Sequence, residues 1–76
     1  MYLKYFDDDE EIGLIESKQI DEIKLIKENE YIENGWYIAG YREDGAYFHL
    51  TEWISKLQAK QRLLELQVML NGNIDD

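Results

Sequence analysis

The sequence contains no cysteine, no proline and only one histidine among its 76 residues. Without cysteine the chain forms no disulfide and offers no thiolate ligand to a metal ion. A single histidine also excludes a multi-histidine metal site within one chain. We therefore expect no cofactor and no metal site. A fold this small must be held together by side-chain packing or by association with another chain.

Basic residues are scarce as well, since eight Lys and Arg stand against seventeen Asp and Glu, for a net charge of −9. Direct nucleic-acid binding needs clustered basic residues that neutralise phosphates, and anionic membrane surfaces attract the same residues. We expect neither as a direct partner. A basic protein is the natural complement of this charge. The simpler explanation, that acidic residues keep a small protein in solution, remains open.

Long apolar runs are also absent, and none approaches the ~20 residues that a membrane-spanning helix needs. The first residues, Met-Tyr-Leu-Lys-Tyr-Phe, lack the apolar segment of a secretory signal. The absence of cysteine is consistent with a reducing compartment. The predicted location is the cytoplasm, which would be the host-cell cytoplasm if a phage encodes the chain.

The length predicts a single domain over residues 1–76, with its strands within residues 2–50. Two dipeptides, Asn34-Gly35 and Asp44-Gly45, each separate short runs rich in aromatic and β-branched residues. Such dipeptides favour the two-residue turns of β-hairpins. The sequence therefore predicts an antiparallel β-meander of 3–5 strands.

The segment 51–71 is dominated by good helix formers and predicts one long C-terminal amphipathic helix. Thr51 is the expected N-cap and Gly72 the expected stop, followed by a short acidic tail over residues 73–76. The predicted fold class is α+β, with the helix packed on one face of the meander.

The two-residue turns fix the strand register and thereby assign residues to the two faces of the sheet. The predicted core face comprises Ile23, Leu25, Ile32, Tyr37, Ala39, Tyr41, Phe48 and Leu50. The other face comprises Ile26, Tyr31, Trp36, Ile38, Tyr47 and His49. Because Trp and Tyr are frequent interface anchors, we predict partner-binding aromatics at Tyr31, Trp36 and Tyr47. The alternative, that this face is the core or is covered by the N-terminal strands, stays open.

The predicted helix carries two apolar stripes when its residues are placed at about 100° per position. The first, expected to pack on the sheet, comprises Leu50, Trp53, Ile54, Leu57, Leu64 and Val68. The second comprises Ala59, Leu63, Leu66 and Leu70. One sheet cannot bury both stripes, so the second is predicted to be an oligomer interface, as in a homodimer. It could instead be covered by the N-terminal segment or by a different protein.

Acidic residues are concentrated outside the predicted helix. Residues 1–50 carry a formal charge of −8, whereas residues 51–71 carry +1. The run of five acids over residues 7–11 predicts a solvated loop. The predicted acidic partner-binding residues are Asp7, Asp8, Asp9, Glu10, Glu11, Glu30, Glu33, Glu43 and Asp44. Carboxylates beside exposed aromatics can imitate a nucleic-acid backbone toward a basic groove.

No residue pattern indicates an enzyme. The acidic run lacks the ligand spacing of an EF-hand, because Ile12 and Gln19 occupy positions that require oxygen ligands and a bidentate Glu. His49 is the one candidate for proton transfer near neutral pH, and Ser17 and Ser55 have no evident base. We therefore expect no catalytic residues.

These observations predict a small acidic, non-enzymatic protein-binding module. Its size, composition and lack of a catalytic set are similar to those of accessory proteins from phages and mobile elements. The more specific hypothesis is an inhibitor, anti-CRISPR-like or DNA-mimic-like, that blocks a basic nucleic-acid-handling partner. The alternative is a structural homo-oligomer or assembly subunit that uses the second leucine stripe of the helix.

Overall fold

The computed structural model describes residues 1–29 and 31–72, which form a five-stranded antiparallel sheet followed by one helix. The elements are β1 (Tyr2–Asp7), β2 (Glu10–Glu16), a 3₁₀ turn (Ser17–Gln19), β3 (Glu22–Lys27), β4 (Trp36–Tyr41), β5 (Tyr47–His49) and α1 (Lys56–Gly72). The strand order is β2-β1-β5-β4-β3. The predicted α+β class is confirmed. The predicted tail over residues 73–76 lies outside the described residues.

No helix in the described part of the chain is both long enough and apolar enough to cross a membrane.

The acidic run over residues 7–11 is exposed, as predicted, but it is not a loop, because Asp7 ends β1, Asp8 and Asp9 form a tight turn, and Glu10 and Glu11 begin β2. Asp7 pairs with Glu10 across the hairpin. Asp8 and Asp9 both have positive φ, 48° and 68°, as a two-residue type I′ turn requires. Aspartate tolerates this left-handed conformation better than most residues, because its short side chain can hydrogen-bond locally.

The connection between β3 and β4 differs from the prediction, because Asn34-Gly35 does not close a two-residue hairpin. Instead β4 pairs with β3, and Lys27 lies opposite Trp36. The amides of Glu28 and Asn29 both donate to the carbonyl of Gly35, at 2.9 and 3.3 Å. A Cβ on Gly35 would overlap the Asn29 carbonyl oxygen, so glycine is needed there for close backbone approach.

The strand predicted before this turn is therefore wrong, and Ile32 is 54% exposed instead of lying in the core.

The turn between β4 and β5 forms where predicted, but its register differs by one residue. Tyr41 pairs with Tyr47, whereas two-residue turn geometry predicts Arg42 opposite Tyr47. The turn is closed by the Arg42 amide, which donates to the Ala46 carbonyl at 2.7 Å, and Gly45 has a φ of 91°. The turn therefore contains one residue more than the predicted two-residue turn.

The one-residue shift exchanges the two faces of β4. Ile38 is fully buried beneath the helix and Trp36 packs beside it. Tyr37, Ala39 and Tyr41 alternate with them and lie on the opposite face. The predicted core face is therefore right for β3 and β5 and wrong for β4.

The core forms between the sheet and α1 and includes the N-terminal hairpin. Its buried residues are Leu3, Ile15, Ile38, Leu50, Ala59 and Leu66. Leu63 and Leu70 pack against this cluster, whereas Leu57, Leu64 and Val68 are 68%, 64% and 69% exposed.

The predicted orientation of the helix is thus reversed. The four residues assigned to an oligomer interface, Ala59, Leu63, Leu66 and Leu70, contribute to the core of the single chain.

The predicted orientation of the helix is wrong because α1 begins later in the chain than predicted. Ser55 is the N-cap: its hydroxyl accepts from the Gln58 amide at 3.2 Å, and the Ser55 amide donates to the Gln58 side chain at 3.1 Å. This reciprocal pair is a capping box. The residues immediately before it are irregular, with bends at Thr51 and Trp53, and Ile54 pairs with Trp36. Because Leu50, Trp53 and Ile54 are not helical, their spacing carries no information about the phase of α1.

Thr51, predicted as the N-cap, has a different role. It is buried, and its hydroxyl accepts from the Ile38 amide at 3.1 Å and donates to the Glu52 carbonyl at 2.8 Å. The hydroxyl thereby replaces a strand partner that the irregular backbone does not supply.

Candidate functional site

The sheet face opposite α1 carries a continuous series of rings, which we call the aromatic strip. Its members are Tyr37 and Tyr41 of β4, Tyr47 and His49 of β5, and Trp53 of the following segment. Alternate residues of a strand point to the same face, so the spacing within β4 and β5 places these side chains together. The pairing of Tyr41 with Tyr47 and of Ala39 with His49 fixes their relative positions.

Each ring of the aromatic strip lies against at least one neighbouring ring. His49 stacks on Tyr37 with ring centroids 3.9 Å apart. Trp53 approaches both rings edge-on, at 5.1 Å from Tyr37 and 5.8 Å from His49. Tyr47 lies 6.1 Å from His49 and 5.8 Å from Tyr41. Two of these contacts are edge-to-face, a favoured arrangement of aromatic pairs, and the rings therefore support one another before any ligand binds.

Exposure varies along the strip. Tyr37 is buried at its centre, whereas Tyr47 is 55% exposed and Tyr41, His49 and Trp53 are half-buried. Burial raises the pKa of the Tyr37 phenol, and nearby Tyr47, Glu28 and Tyr41 raise it further. The strip therefore has a buried centre and accessible outer rings.

Carboxylates border the aromatic strip. The Oδ1 atom of Asp9 accepts a hydrogen bond from the Trp53 amide at 2.7 Å, which brings the β1–β2 turn to one end of the strip. Glu28 acts electrostatically on Tyr37, and Glu22 is the cross-strand partner of Tyr41. Two more acids occupy the turn that joins Tyr41 to Tyr47. We call this set the acidic rim: Asp9, Glu22, Glu28, Glu43 and Asp44.

One cation already sits on the strip. The Lys24 ammonium lies 5.2 Å from the centroid of the Tyr41 ring and 3.7 Å from the Glu22 carboxylate. An aromatic face attracts a cation through its quadrupole, and the carboxylate adds a direct charge. The Tyr41 ring and the Glu22 carboxylate together therefore hold a cation within the chain.

The three aromatics predicted to bind a partner do not form one surface. Tyr31 lies in the β3–β4 connection and is 90% exposed. Trp36 packs on the helix side, where the Lys56 ammonium lies 5.7 Å from its ring. Tyr47 alone belongs to the aromatic strip.

The sequence prediction missed Tyr37, Tyr41 and Trp53 as members of this surface. The period-two spacing of Tyr37 and Tyr41 is visible in the sequence, but a two-residue turn at Asp44-Gly45 places Tyr41 opposite Phe48 and so assigns both tyrosines to the core face.

The predicted acidic residues divide between several places. Asp7, Asp8, Asp9, Glu10 and Glu11 are exposed in the β1–β2 hairpin, Glu33 is exposed in the β3–β4 connection, and Glu43 and Asp44 are exposed in the β4–β5 turn. Glu30 lies outside the described residues. The Lys4 ammonium lies 3.2 Å from the Glu11 carboxylate and partly neutralises it. Asp9, Glu43 and Asp44 are the predicted acids that join the acidic rim.

Two of the three residues considered for catalysis have structural partners. His49 stacks on Tyr37, and Ser55 caps α1. Over residues 1–29 and 31–72, no three His, Asp or Glu side chains come together in a way that could hold a metal ion.

Comparison with known proteins found no match among family models, curated proteins or solved structures. The function must therefore be inferred from the aromatic strip and the acidic rim themselves.

Proposed function

We propose that this chain is a non-enzymatic protein-binding module whose aromatic strip and acidic rim bind a basic surface of another protein. The observation that carries the proposal is the connected series of rings on the sheet face opposite α1, bordered by carboxylates. Tyr and Trp are enriched among the residues that dominate binding energy at protein interfaces, because they bury a large area and keep a polar tip.

The strip is suited to binding because its rings are already ordered. Tyr37 is buried and contacts both His49 and Trp53, so the outer rings rest on a fixed base. Ordering flexible side chains on association costs about 0.5–1.5 kcal/mol each, and a preformed surface avoids part of that cost.

The chemistry of the site favours arginine and lysine side chains. A guanidinium group stacks on aromatic rings and pairs with carboxylates in a bidentate geometry. The arrangement of Lys24 over Tyr41 and beside Glu22 is an intramolecular example of such binding. The net charge of −9 would also accelerate encounter with a basic partner.

The more specific form of the proposal is an inhibitor that occupies the nucleic-acid-binding surface of its partner. Planar rings beside carboxylates offer a basic groove the two features of a nucleic acid, stacking faces and negative charge. A phage or mobile element would use such an anti-CRISPR-like or DNA-mimic-like protein to block a nucleic-acid-handling enzyme in the cytoplasm.

The test of the general proposal uses an arginine-rich peptide as the probe. The chain has two Trp residues, so the Trp36→Phe background leaves Trp53 as the only indole reporter within the strip. Peptide binding should change the Trp53 fluorescence. In that background Tyr47→Ala should weaken binding by about 10-fold or more, the effect typical of an interface anchor.

The matched control is Tyr31→Ala, which removes an even more exposed tyrosine outside the strip. Its effect should stay within about 2-fold, as expected for a surface residue outside the interface. Equal effects of the two substitutions would overturn the aromatic strip as the binding surface.

Charge is tested by a second matched pair. Glu43→Gln removes a carboxylate of the acidic rim, and Glu33→Gln removes one from the β3–β4 connection. Affinity for the peptide should fall with Glu43→Gln and should fall steeply with added salt, since exposed charges are screened. Binding that is insensitive both to Glu43→Gln and to added salt would contradict a role for the acidic rim.

The inhibitor hypothesis requires a further experiment with a partner isolated through this surface. An oligonucleotide substrate of that partner should compete with the chain for binding. A partner that binds the chain and the oligonucleotide simultaneously would refute nucleic-acid mimicry while leaving the protein-binding function intact.

A further inference from the structure

The outward face of α1 carries three apolar side chains, Leu57, Leu64 and Val68, with Gln61 between them. We call these four residues the outward stripe. All four side chains are exposed. At 100° per residue the centre of this stripe lies about 160° from that of the buried residues Ala59, Leu63, Leu66 and Leu70. The stripe therefore points directly away from the core, where no other described element covers it.

The spacing of the outward stripe is that of a coiled coil. Its members follow one another at intervals of four, three and four residues, which is the alternation of heptad positions d and a. Leu57 and Leu64 occupy d, and Val68 and Gln61 occupy a. Leucine at d with a β-branched residue at a favours parallel two-stranded pairs, and a polar residue at a single a position fixes the register.

The charge distribution favours a second copy of this chain on this face. Residues 51–71 carry a formal charge of +1, whereas residues 1–50 carry −8. Two copies that meet through α1 thus bring together the region with the least mutual repulsion. An approach of sheet to sheet would instead bring the two acidic regions together.

The flanking positions indicate a parallel orientation. Lys60 occupies position g on one side of the stripe, and Glu65 occupies position e on the other. In a parallel pair, position g of one helix faces position e of the next heptad on its partner, so Lys60 of each copy lies beside Glu65 of the other. An antiparallel pair would bring like flanks together and would lose both contacts.

We propose that two copies of this chain associate through the outward stripe as a parallel two-stranded helix pair. A seam of two heptads lies at the low end of interface size, below about 1,200 Å². The dimer should therefore form at high protein concentration and dissociate on dilution. The aromatic strip lies on the other side of the sheet and stays open in both subunits, so this interface is separate from the proposed partner-binding surface.

The parallel orientation of the two helices is tested by disulfide trapping. The chain has no cysteine of its own, so only the introduced cysteine can form a disulfide. In a parallel pair the two Gln61 residues face each other at an a position, close enough for a disulfide. The Gln61→Cys variant should therefore form a covalent dimer under mild oxidation. Met69→Cys, also exposed but outside the stripe, should remain monomeric. Equal cross-linking of the two variants would contradict the parallel seam.

Affinity is tested by sedimentation from roughly 5 to 500 µM, a range that brackets weak association. Val68→Glu should weaken the dimer at least about 10-fold, because it places like charges across the seam. Met69→Glu adds the same charge at the neighbouring exposed position and should change the affinity by no more than about 3-fold. A wild-type chain that stays monomeric throughout this range would overturn the proposal.

Exchanging the charges of Lys60 and Glu65 tests the proposed contacts between these residues across the helix pair. Lys60→Glu alone should weaken the dimer, and adding Glu65→Lys should restore it, because the double variant keeps the net charge and reverses each pair. A double variant that dimerises no more tightly than Lys60→Glu alone would overturn the parallel pairing.

The two proposals are separable by experiment. Tyr47→Ala should leave the dimer unchanged, and Val68→Glu should leave arginine-rich peptide binding unchanged.

Discussion

The imidazole ring of His49 lies flat on the phenol ring of Tyr37, with centroids 3.9 Å apart and ring planes 8° apart. The two residues belong to adjacent strands and are diagonal neighbours, since His49 pairs directly with Ala39. The small side chain of Ala39 leaves room for this stacking. Trp53 contacts the edge of the pair, and the phenol is consequently buried on the sheet face opposite α1.

The buried phenol of Tyr37 predicts a dependence of stability on alkaline pH. Burial raises its pKa, so the folded state disfavours the phenolate relative to the unfolded chain. The corresponding stability is fully present below the unfolded pKa of about 10 and is lost as pH rises through the folded value. Tyr37→Phe cannot ionise, so its unfolding free energy relative to wild type should improve above pH ~10.

Urea unfolding of both proteins at neutral and alkaline pH measures this difference. A difference that does not change with pH would show that Tyr37 ionises as easily in the folded protein as in the unfolded chain.

The phase of α1 predicts opposite consequences for two neighbouring leucines. Leu66 is 3% exposed and Leu64 is 64% exposed. Leu66→Ala should therefore cost about 2–5 kcal/mol of unfolding free energy, the range for a buried leucine. Leu64→Ala should cost less than about 1 kcal/mol, as surface substitutions do. Both are measured by denaturant unfolding of dilute protein, and the reverse order would mean that α1 is rotated on the sheet.

The capping box predicts that Ser55 stabilises the start of α1. Ser55→Ala removes the acceptor of the Gln58 amide and should cost about 1 kcal/mol, the usual value for an N-cap. Gln67→Ala, at an exposed position within the helix, should be close to neutral because alanine is the best helix former. Thermal unfolding followed by circular dichroism compares the two, and equal effects would argue against the cap.

Two glycines should respond differently to alanine. At Gly35 a Cβ would overlap the Asn29 carbonyl oxygen, so Gly35→Ala must displace backbone and should cost at least about 2 kcal/mol. At Gly45 no atom lies within 4 Å of the new Cβ, and the cost is the left-handed conformation alone, about 1–2 kcal/mol. Denaturant unfolding should rank Gly35→Ala as the more destabilising, and an inverted ranking would contradict the close approach.

Much of the fold follows from local patterns in the sequence. The periodicity of residues 23–26 and 47–50 assigns the faces of β3 and β5 correctly, and the good helix formers after Ser55 predict α1. The connection before β4 could not be predicted in this way. Asn34-Gly35 has the local signature of a hairpin turn, but Trp36 pairs with Lys27 and Ile54, and such long-range pairing overrides a turn preference.

The candidate site was predictable in kind and less so in membership. Of the residues predicted to bind a partner, Tyr47 belongs to the aromatic strip, and Asp9, Glu43 and Asp44 belong to the acidic rim. Tyr37 and Tyr41 were missed because a single-residue error in register exchanges the faces of a whole strand. The position of Trp53 depends on where the helix starts, which Ser55 and not Thr51 determines.

The irregular segment between β5 and α1 has a constraint on its length. Trp53 belongs to the aromatic strip and Ile54 packs against the core, although the two residues are adjacent in sequence. Inserting or deleting one residue between His49 and Trp53 would shift Trp53 relative to the rings it contacts and Ile54 relative to Trp36, with which it pairs. Connecting segments usually tolerate such changes. Here a change of one residue would disrupt the binding surface and the hydrophobic core together.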